Sequence, residues 1–233
     1  MIRLALQSIH EENNQIFGHE VLARKILDDG RVLAPGAFMA RASDDDWYDL
    51  DLRVYQNVLQ SPLLIKDPWP LFLNVSPATL KVDSYFSRAV DLLSAIVQSR
   101  RAPTVIEISE ESELAGRSLD ERLDTIKSMG AKIAMDDFGV GYSDLRRLVE
   151  HEWSFCKIDI SSIKESVDYD SLVDAKAYCD SRNIVVVLER YESKDSKFVL
   201  HPFHKSLYQG YAYSKPYLMS ELASSPKCRA GQV

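Results

Sequence analysis

The sequence predicts an α/β fold, a modified (β/α)8 TIM-type barrel with an antiparallel first strand, on three observations. Residues 2–9 and 16–24 are apolar, extended segments joined by the polar turn Glu11-Glu-Asn-Asn14, the signature of a hairpin. Short apolar runs then alternate with amphipathic stretches of about ten to sixteen residues, the rhythm of βαβ units. Eight strand candidates result, with no Pro-Gly-Ser linker, composition shift or internal repeat to divide them. A doubly wound open sheet is the competing architecture, and no GxGxxG or GxxxxGK(S/T) turn supports it.

Taken in order, the strands after the hairpin fall at 70–75, 104–108, 131–136, 154–158, 184–189 and 206–209. A helix over 48–59 follows Asp44-Asp-Asp46, which reads as an N-terminal cap and solvated face. The stretch 83–100 sets Tyr85, Phe86, Ala89, Val90, Leu93 and Ile96 on one face, as a helix packed on a sheet requires. Ser118-Leu-Asp-Glu121 is a capping box opening a helix over 118–129, with Gly130 to stop it. Further helices are expected over 143–150, 169–182 and 193–200. One barrel domain spanning 1–233 is the expectation, with no room for a sensor domain before Met1.

Composition narrows the function classes. The 233 residues are 45% hydrophobic, enough for a real core, and 28 Lys and Arg against 35 Asp and Glu give a net charge of -7. No basic run reads as a nucleic-acid arm, so duplex nucleic acid is disfavoured as a partner. The opening apolar run, interrupted by Arg3 and Gln7, is too short for a signal sequence or a membrane segment, and no later run is longer. Cys156, Cys179 and Cys228 form no CxxC pair and are odd in number, which points to the reducing cytoplasm rather than a disulfide or zinc framework. His10, His19, His151, His201 and His204 have no metal-ligand spacing.

The chemistry lies in where the polar residues fall. Glu20 lies near the end of the second strand, Asn74 of the third, Glu107 of the fourth and Asp136 and Asp137 of the fifth, and Lys157, Glu189 and Gln209 continue the series. In a barrel those ends converge on one mouth. Any one of them alone reads as a solvated loop residue, a cap or a snorkelling lysine. Recurrence at successive strand ends predicts an anionic ring whose carboxylates repel unless hard cations such as Mg²⁺ or Mn²⁺ share their oxygens. Asp136 and Asp137 both reach one site only if the strand ends there, since strand neighbours face opposite ways.

These motifs resemble the EAL domain family of cyclic di-GMP phosphodiesterases, in order through nearly the whole chain. The name-giving Glu-Ala-Leu is Glu20-Val-Leu22 here, with the family's arginine at Arg24. Asn74-Val-Ser76, Glu107-Ile-Ser-Glu110, Asp136-Asp-Phe-Gly-Val-Gly-Tyr-Ser143 and Lys157-Ile-Asp159 follow, then Glu189-Arg-Tyr-Glu192, Gln209-Gly-Tyr211 and Ser214-Lys-Pro216. The Asp-Asp-Phe-Gly loop followed by Lys-Ile-Asp is the specific part; Glu-Val-Leu alone carries nothing.

The resemblance implies hydrolysis of cyclic di-GMP to linear pGpG with two Mg²⁺ or Mn²⁺ ions. By that analogy Glu20, Asn74, Glu107 and Asp136 hold one ion and Asp136 and Asp137 reach the second. Glu189 joins the metal set, and Lys157, Glu189 and Gln209 orient or deprotonate the attacking water. Glu20, Lys157 and Glu189 form the catalytic set, Gln7, Arg24 and Gln209 the substrate-binding set, and Glu110 anchors the 137–143 loop. Departures from the family pattern are Val21 for alanine, Lys25 for tryptophan, Val140 for threonine and Arg190 for glycine. The expected partner is cyclic di-GMP, with a homodimer as the expected assembly and no membrane segment. Two readings compete with hydrolysis: an EAL-like receptor or protein-binding regulator of weak or absent activity, and a barrel phosphatase of another substrate class.

Overall fold

The computed structural model describes residues 1–109, 111–139, 144–160, 169–192 and 203–219. Strands β1 (Ile2–His10) and β2 (Ile16–Ile26) form the antiparallel hairpin, with Gln7 opposite Glu20. Its turn uses Asn14 at φ +72 and a bond from the Gln15 N–H to Asn13 Oδ1 (2.8 Å), the side-chain and left-handed backbone roles that make asparagine a turn residue. The two-residue β3 (Val32–Leu33) adds to the far end of β2. Parallel pairing then runs from β2 through β4 (Leu71–Val75), β5 (Thr104–Ile108), β6 (Lys132–Phe138), β7 (Phe155–Asp159), β8 (Val185–Glu189) and β9 (Leu207–Tyr208). β9 meets β1 antiparallel through His10 and Tyr208, which closes the ring, and β10 (Tyr217–Leu218) lies outside it on β1. All eight expected strands are the barrel staves, and β1 is the antiparallel one.

Around them lie α1 (Pro35–Phe38), α2 (Asp44–Leu59), α3 (Pro62–Lys66), α4 (Pro77–Lys81), α5 (Asp83–Ser99), α6 (Gly116–Ser128), α7 (Leu145–Glu150) and α8 (Tyr169–Arg182). α2 begins earlier than its apolar periodicity predicts. Ser43 and Asp46 form a reciprocal capping box, and Asp44, Asp45 and Asp46 occupy the first turn, where the helix dipole favours them. α6 corrects a second expectation. The chain turns into it at Gly116, φ +53, so Ser118 lies inside the helix rather than capping it, and Glu121 pairs with Arg117 at 3.0 Å. Gly130 ends that helix as expected, at φ +88. The helix expected over 193–200 lies outside the described residues. Among the described residues no helix is long and apolar enough to cross a membrane.

Strand alternation sorts the core into two parts. Leu71, Leu73, Ile106, Ile108, Ile133, Met135, Cys156, Ile158, Val186 and Leu188 pack outward with the helices. Ile9, Phe72, Val105, Ala134, Phe155, Val187 and Leu207 fill the barrel interior. Gly18 completes this inner layer as a gap, since a Cβ there would lie 2.9 Å from the Pro70 carbonyl oxygen and 3.1 Å from the Phe72 ring. Each large apolar side chain buried here contributes about 1.5–3 kcal/mol.

Two residues further along, every stave changes character. Phe72 leads to Asn74, Val105 to Glu107, Ala134 to Asp136, Phe155 to Lys157, Val187 to Glu189, Leu207 to Gln209 and Gly18 to Glu20; on the reversed β1, Ile9 leads to Gln7. With a period of two, these polar residues share the inner face one layer higher. The apolar layer holds the barrel closed, and the polar layer above it is the site.

Candidate active site

Lys157 is the hub of the polar layer. Its Nζ lies 2.7 Å from Glu107 Oε1, 2.9 Å from Asp136 Oδ1, 2.9 Å from Glu189 Oε1 and 3.7 Å from Glu20 Oε2. Asn74 Nδ2 donates to Glu20 Oε1 (3.0 Å) and Glu107 Oε2 (2.9 Å), and Gln209 Nε2 donates to Glu20 Oε2 (2.6 Å). Six of the expected residues are thereby linked, with Gln209 tied to them through Glu20. His19 turns away to Asp67 (3.0 Å), which leaves Glu20 alone at its level of β2.

Burial and crowding set the titration. Glu107 and Glu189 are held well above the usual carboxylate range, first by burial and then by neighbouring carboxylates, with Lys157 pulling the other way. Burial pushes Glu20 up as well, but Lys157 and the bonds from Gln209 and Asn74 hold it below its ordinary value. Lys157 loses solvation, which favours the neutral amine, yet Asp136, Glu107, Glu189 and Glu20 keep its ammonium well above its ordinary value. A protein that buries this many ionisable groups in one layer gives up stability there.

The same floor has the donors for a divalent cation. Glu107 Oε1, Asp136 Oδ1 and Gln209 Oε1 are buried without a well-angled hydrogen bond, although the first two lie within ion-pair distance of Lys157. Asp136, Asp137 and Glu189 each offer an oxygen within 4.8 Å of the others, a spacing that can hold a metal ion. Five carboxyl groups against one ammonium form a site whose full ionisation divalent cations would favour. All-oxygen donors suit Mg²⁺ and Mn²⁺.

Adjacent aspartates reach one site by a route the alternation rule does not predict. β6 does not end at Asp136; it runs to Phe138, with an irregular register between Met135 and Phe138 and Asp137 at φ +44. That left-handed residue breaks the alternation and brings a second carboxylate to the same mouth.

A family model for the EAL domain matches residues 1–216. The chain belongs to the EAL domain family. The cyclic di-GMP phosphodiesterase RocR of Pseudomonas aeruginosa is 29% identical over 217 residues, covering 86% of this chain and 53% of that protein. In fold, this EAL domain is similar to the Bacillus subtilis YkuI protein solved with cyclic di-GMP and calcium (TM-score 0.78, 23% identity, 92% of this chain and 55% of that one). It is likewise similar to Klebsiella pneumoniae BlrP1 solved with manganese and the same dinucleotide (TM-score 0.74, 24% identity, 93% and 56%). The chain spans between 28% and 56% of the length of these and other first relatives it matches.

Above the floor of the EAL barrel opens a cavity of about 510 Å³, lined by Gln7, Arg24, Arg190, Glu192, Tyr211 and Pro216 as well as the floor residues. Gln7 Nε2 donates to the Ser214 carbonyl (3.2 Å), and half-buried Arg24 donates through Nη1 to the Ala23 carbonyl (2.8 Å). Glu110 and Val140 lie outside the described residues, so the expected loop anchor has no structural account. Val21 is buried in the core, and Lys25 sets its ammonium 5.7 Å from the Phe38 ring centroid.

Arg190 has the backbone its family counterpart suits. It stands at φ +51, a conformation that costs a non-glycine residue about 1–2 kcal/mol. Its Nε lies 3.2 Å from Asp159 Oδ2. Asp159 itself is a site neighbour missing from the expected set; it pairs in register with Glu189 and follows Lys157 by two residues, so the period of the strand already gave the signal. Behind the floor, the Tyr55 hydroxyl donates to the Asn74 carbonyl (2.8 Å). Asp51 accepts from the Ser76 N–H (2.9 Å) and the Thr79 hydroxyl (2.6 Å), and burial pushes its carboxyl up to about 6. Through these two residues α2 fixes the strand end that carries Asn74.

Proposed function

We propose that this EAL domain is a cyclic di-GMP phosphodiesterase that opens the dinucleotide to linear pGpG with two Mg²⁺ or Mn²⁺ ions. The observation that carries this reading is the floor of four carboxylates around Lys157, with Asp137 beside them and with carboxylate and amide oxygens left over for cations. Glu20, Asn74, Glu107 and Asp136 are the donors for one ion, and Asp136, Asp137 and Glu189 for the second. Bound there, the ions would lower the pKa of a water toward about 7 and neutralise the phosphodiester and the departing oxygen.

The chain's own residues do the rest. Lys157, pinned by four carboxylates, keeps them at fixed spacing and limits their repulsion. Glu189, with its carboxyl raised by burial, is the group suited to take a proton from the attacking water. Gln209 steadies Glu20 from the β9 side, and Arg24 offers a guanidinium to a phosphate oxygen at the rim.

The reading assigns this activity to one barrel domain. It locates the protein in the cytoplasm, supported by Cys156 and Cys179 as buried unpaired thiols. It also takes a homodimer as the assembly, with exposed Leu145 and Val149 one turn apart on α7 as its apolar surface; light scattering tests the stoichiometry. Incubating the protein with Mg²⁺ and cyclic di-GMP, with products resolved by chromatography, tests the activity. Formation of pGpG supports it, whereas binding without turnover in either Mg²⁺ or Mn²⁺ replaces it with the receptor reading.

A further inference from the structure

The cavity is layered by charge. Its floor is carboxylate, and Lys157 at the centre is 1% exposed and engaged by four of those carboxylates. Two guanidiniums line the space above. Arg24 is half-buried, bonded to the Ala23 carbonyl and under the influence of Glu20. Arg190 differs from it: its side chain is 64% exposed, its nearest carboxylate contact is from Nε to Asp159 Oδ2 at 3.2 Å, and its terminal nitrogens make no hydrogen bond among the described residues.

A cyclic dinucleotide carries two phosphodiester anions. If one lies on the metal floor, the other must sit in a mouth already crowded with negative charge, which is unfavourable unless a cation meets it. A flexible cation would collapse onto the floor carboxylates. One held by its Nε presents the terminal edge of its fork, the geometry that matches phosphate oxygens. Strain at a non-glycine residue beside a site is where such a role is expected, and Arg190 keeps φ +51 where glycine would adopt it freely.

We propose that Arg190 binds the phosphodiester that is not being cleaved, so that it selects ligands carrying two phosphates. This rests on the cyclic-dinucleotide reading of the site. Asp159 is then a positioning residue, holding the guanidinium out of reach of the floor.

The test uses the whole chain as Arg190→Gly, which suits the positive φ, and Arg190→Lys, which keeps the charge without the fork. KM is measured in Mn²⁺ for cyclic di-GMP and for bis(p-nitrophenyl) phosphate, which has one phosphodiester, and the Kd for cyclic di-GMP is measured in Ca²⁺. Arg190→Gly is expected to raise KM and Kd for the dinucleotide by about tenfold more than KM for the single phosphodiester, as loss of a charge-assisted bond does. Arg190→Lys should recover part of that loss, and Arg190→Gly should melt no lower than the wild type. Equal changes for both substrates, or an unchanged Kd, would overturn the role of Arg190. Dinucleotide binding by the wild type without hydrolysis would overturn the phosphodiesterase reading while the Kd comparison still decides Arg190; no dinucleotide binding at all would overturn both.

Discussion

Lys157 Nζ and Glu107 Oε1 meet at 2.7 Å with both side chains sealed from solvent, and this contact is the centre of the polar layer. One cation there restrains carboxylates from four different staves. The floor is therefore a single electrostatic unit, and changes to its members should not behave as independent surface substitutions.

Lys157→Met removes that cation and leaves the carboxylates facing one another. Breaking a buried pair from one side costs about 3–5 kcal/mol. Near neutral pH the metal-free variant should melt well below the wild type, and the gap should narrow in mild acid as the carboxylates take up protons. Equal melting of the two proteins across that range would show that Lys157 is not what holds the floor.

Glu107 and Glu189 give the metal-free protein a defined response to pH. Their folded pKa values lie above the unfolded ones, so the folded state keeps protons that the unfolded chain has released. They subtract stability from the unfolded carboxylate pKa upward, and the deficit is complete once pH passes the folded values. Divalent ions replace those protons, so binding should release protons and tighten as pH rises. Calorimetry in buffers of different ionisation enthalpy measures the release; metal binding with no proton exchange contradicts the proposed ligand set.

Neutral amides at three floor positions should separate stability from activity. Glu107→Gln and Glu189→Gln remove carboxylates that burial disfavours, so the metal-free variants should melt at or above the wild type. Glu20, held below its ordinary pKa by Lys157, Gln209 and Asn74, contributes in the opposite sense, and Glu20→Gln should melt lower. All three should lose pGpG formation by at least about a hundredfold, on the scale of removing one electrostatic stabiliser. A variant with wild-type turnover would remove its residue from the ligand set.

Gly210 follows Gln209 and packs against the Tyr191 backbone so closely that an added Cβ would overlap it. The Tyr191 N–H donates to the Gln209 carbonyl (3.1 Å) and the Gln209 N–H to the Leu188 carbonyl (2.8 Å). Gly210→Ala should therefore force apart the junction bearing Glu189, Arg190 and Gln209, with a loss of about 1–3 kcal/mol in denaturant unfolding. An unchanged midpoint would mean that this junction yields without cost.

Short apolar runs alternating with amphipathic helical stretches made the staves legible, because parallel strands buried on both faces read as near-continuous apolar segments. Position at the ends of successive strands carried Asn74, Glu107, Lys157 and Glu189 to one mouth, and the period of two, which places them on one inner face, extends to Asp159. What it could not carry were departures from periodicity. Asp137 joins the floor only through a left-handed residue in an irregular strand. The short helices α1, α3 and α4, of four or five residues, and the two-residue strands β3 and β10 are too brief to show a period. Ser118-Leu-Asp-Glu121 has the composition of a capping box, yet Gly116 had already turned the chain, so tertiary context displaced the local signal. The roles of Tyr55 and Asp51 behind Asn74 depend on how α2 docks, which no spacing encodes.

On the proposed function, the carboxylate floor works through bound divalent cations. The most direct measurement is the rate of pGpG formation from cyclic di-GMP by metal-stripped protein as Mg²⁺ or Mn²⁺ is added back. No product is expected in excess chelator, with activity restored by either ion and binding without turnover in Ca²⁺, whose longer bonds of about 2.3–2.6 Å polarise water less. Hydrolysis at an undiminished rate in excess chelator would contradict it.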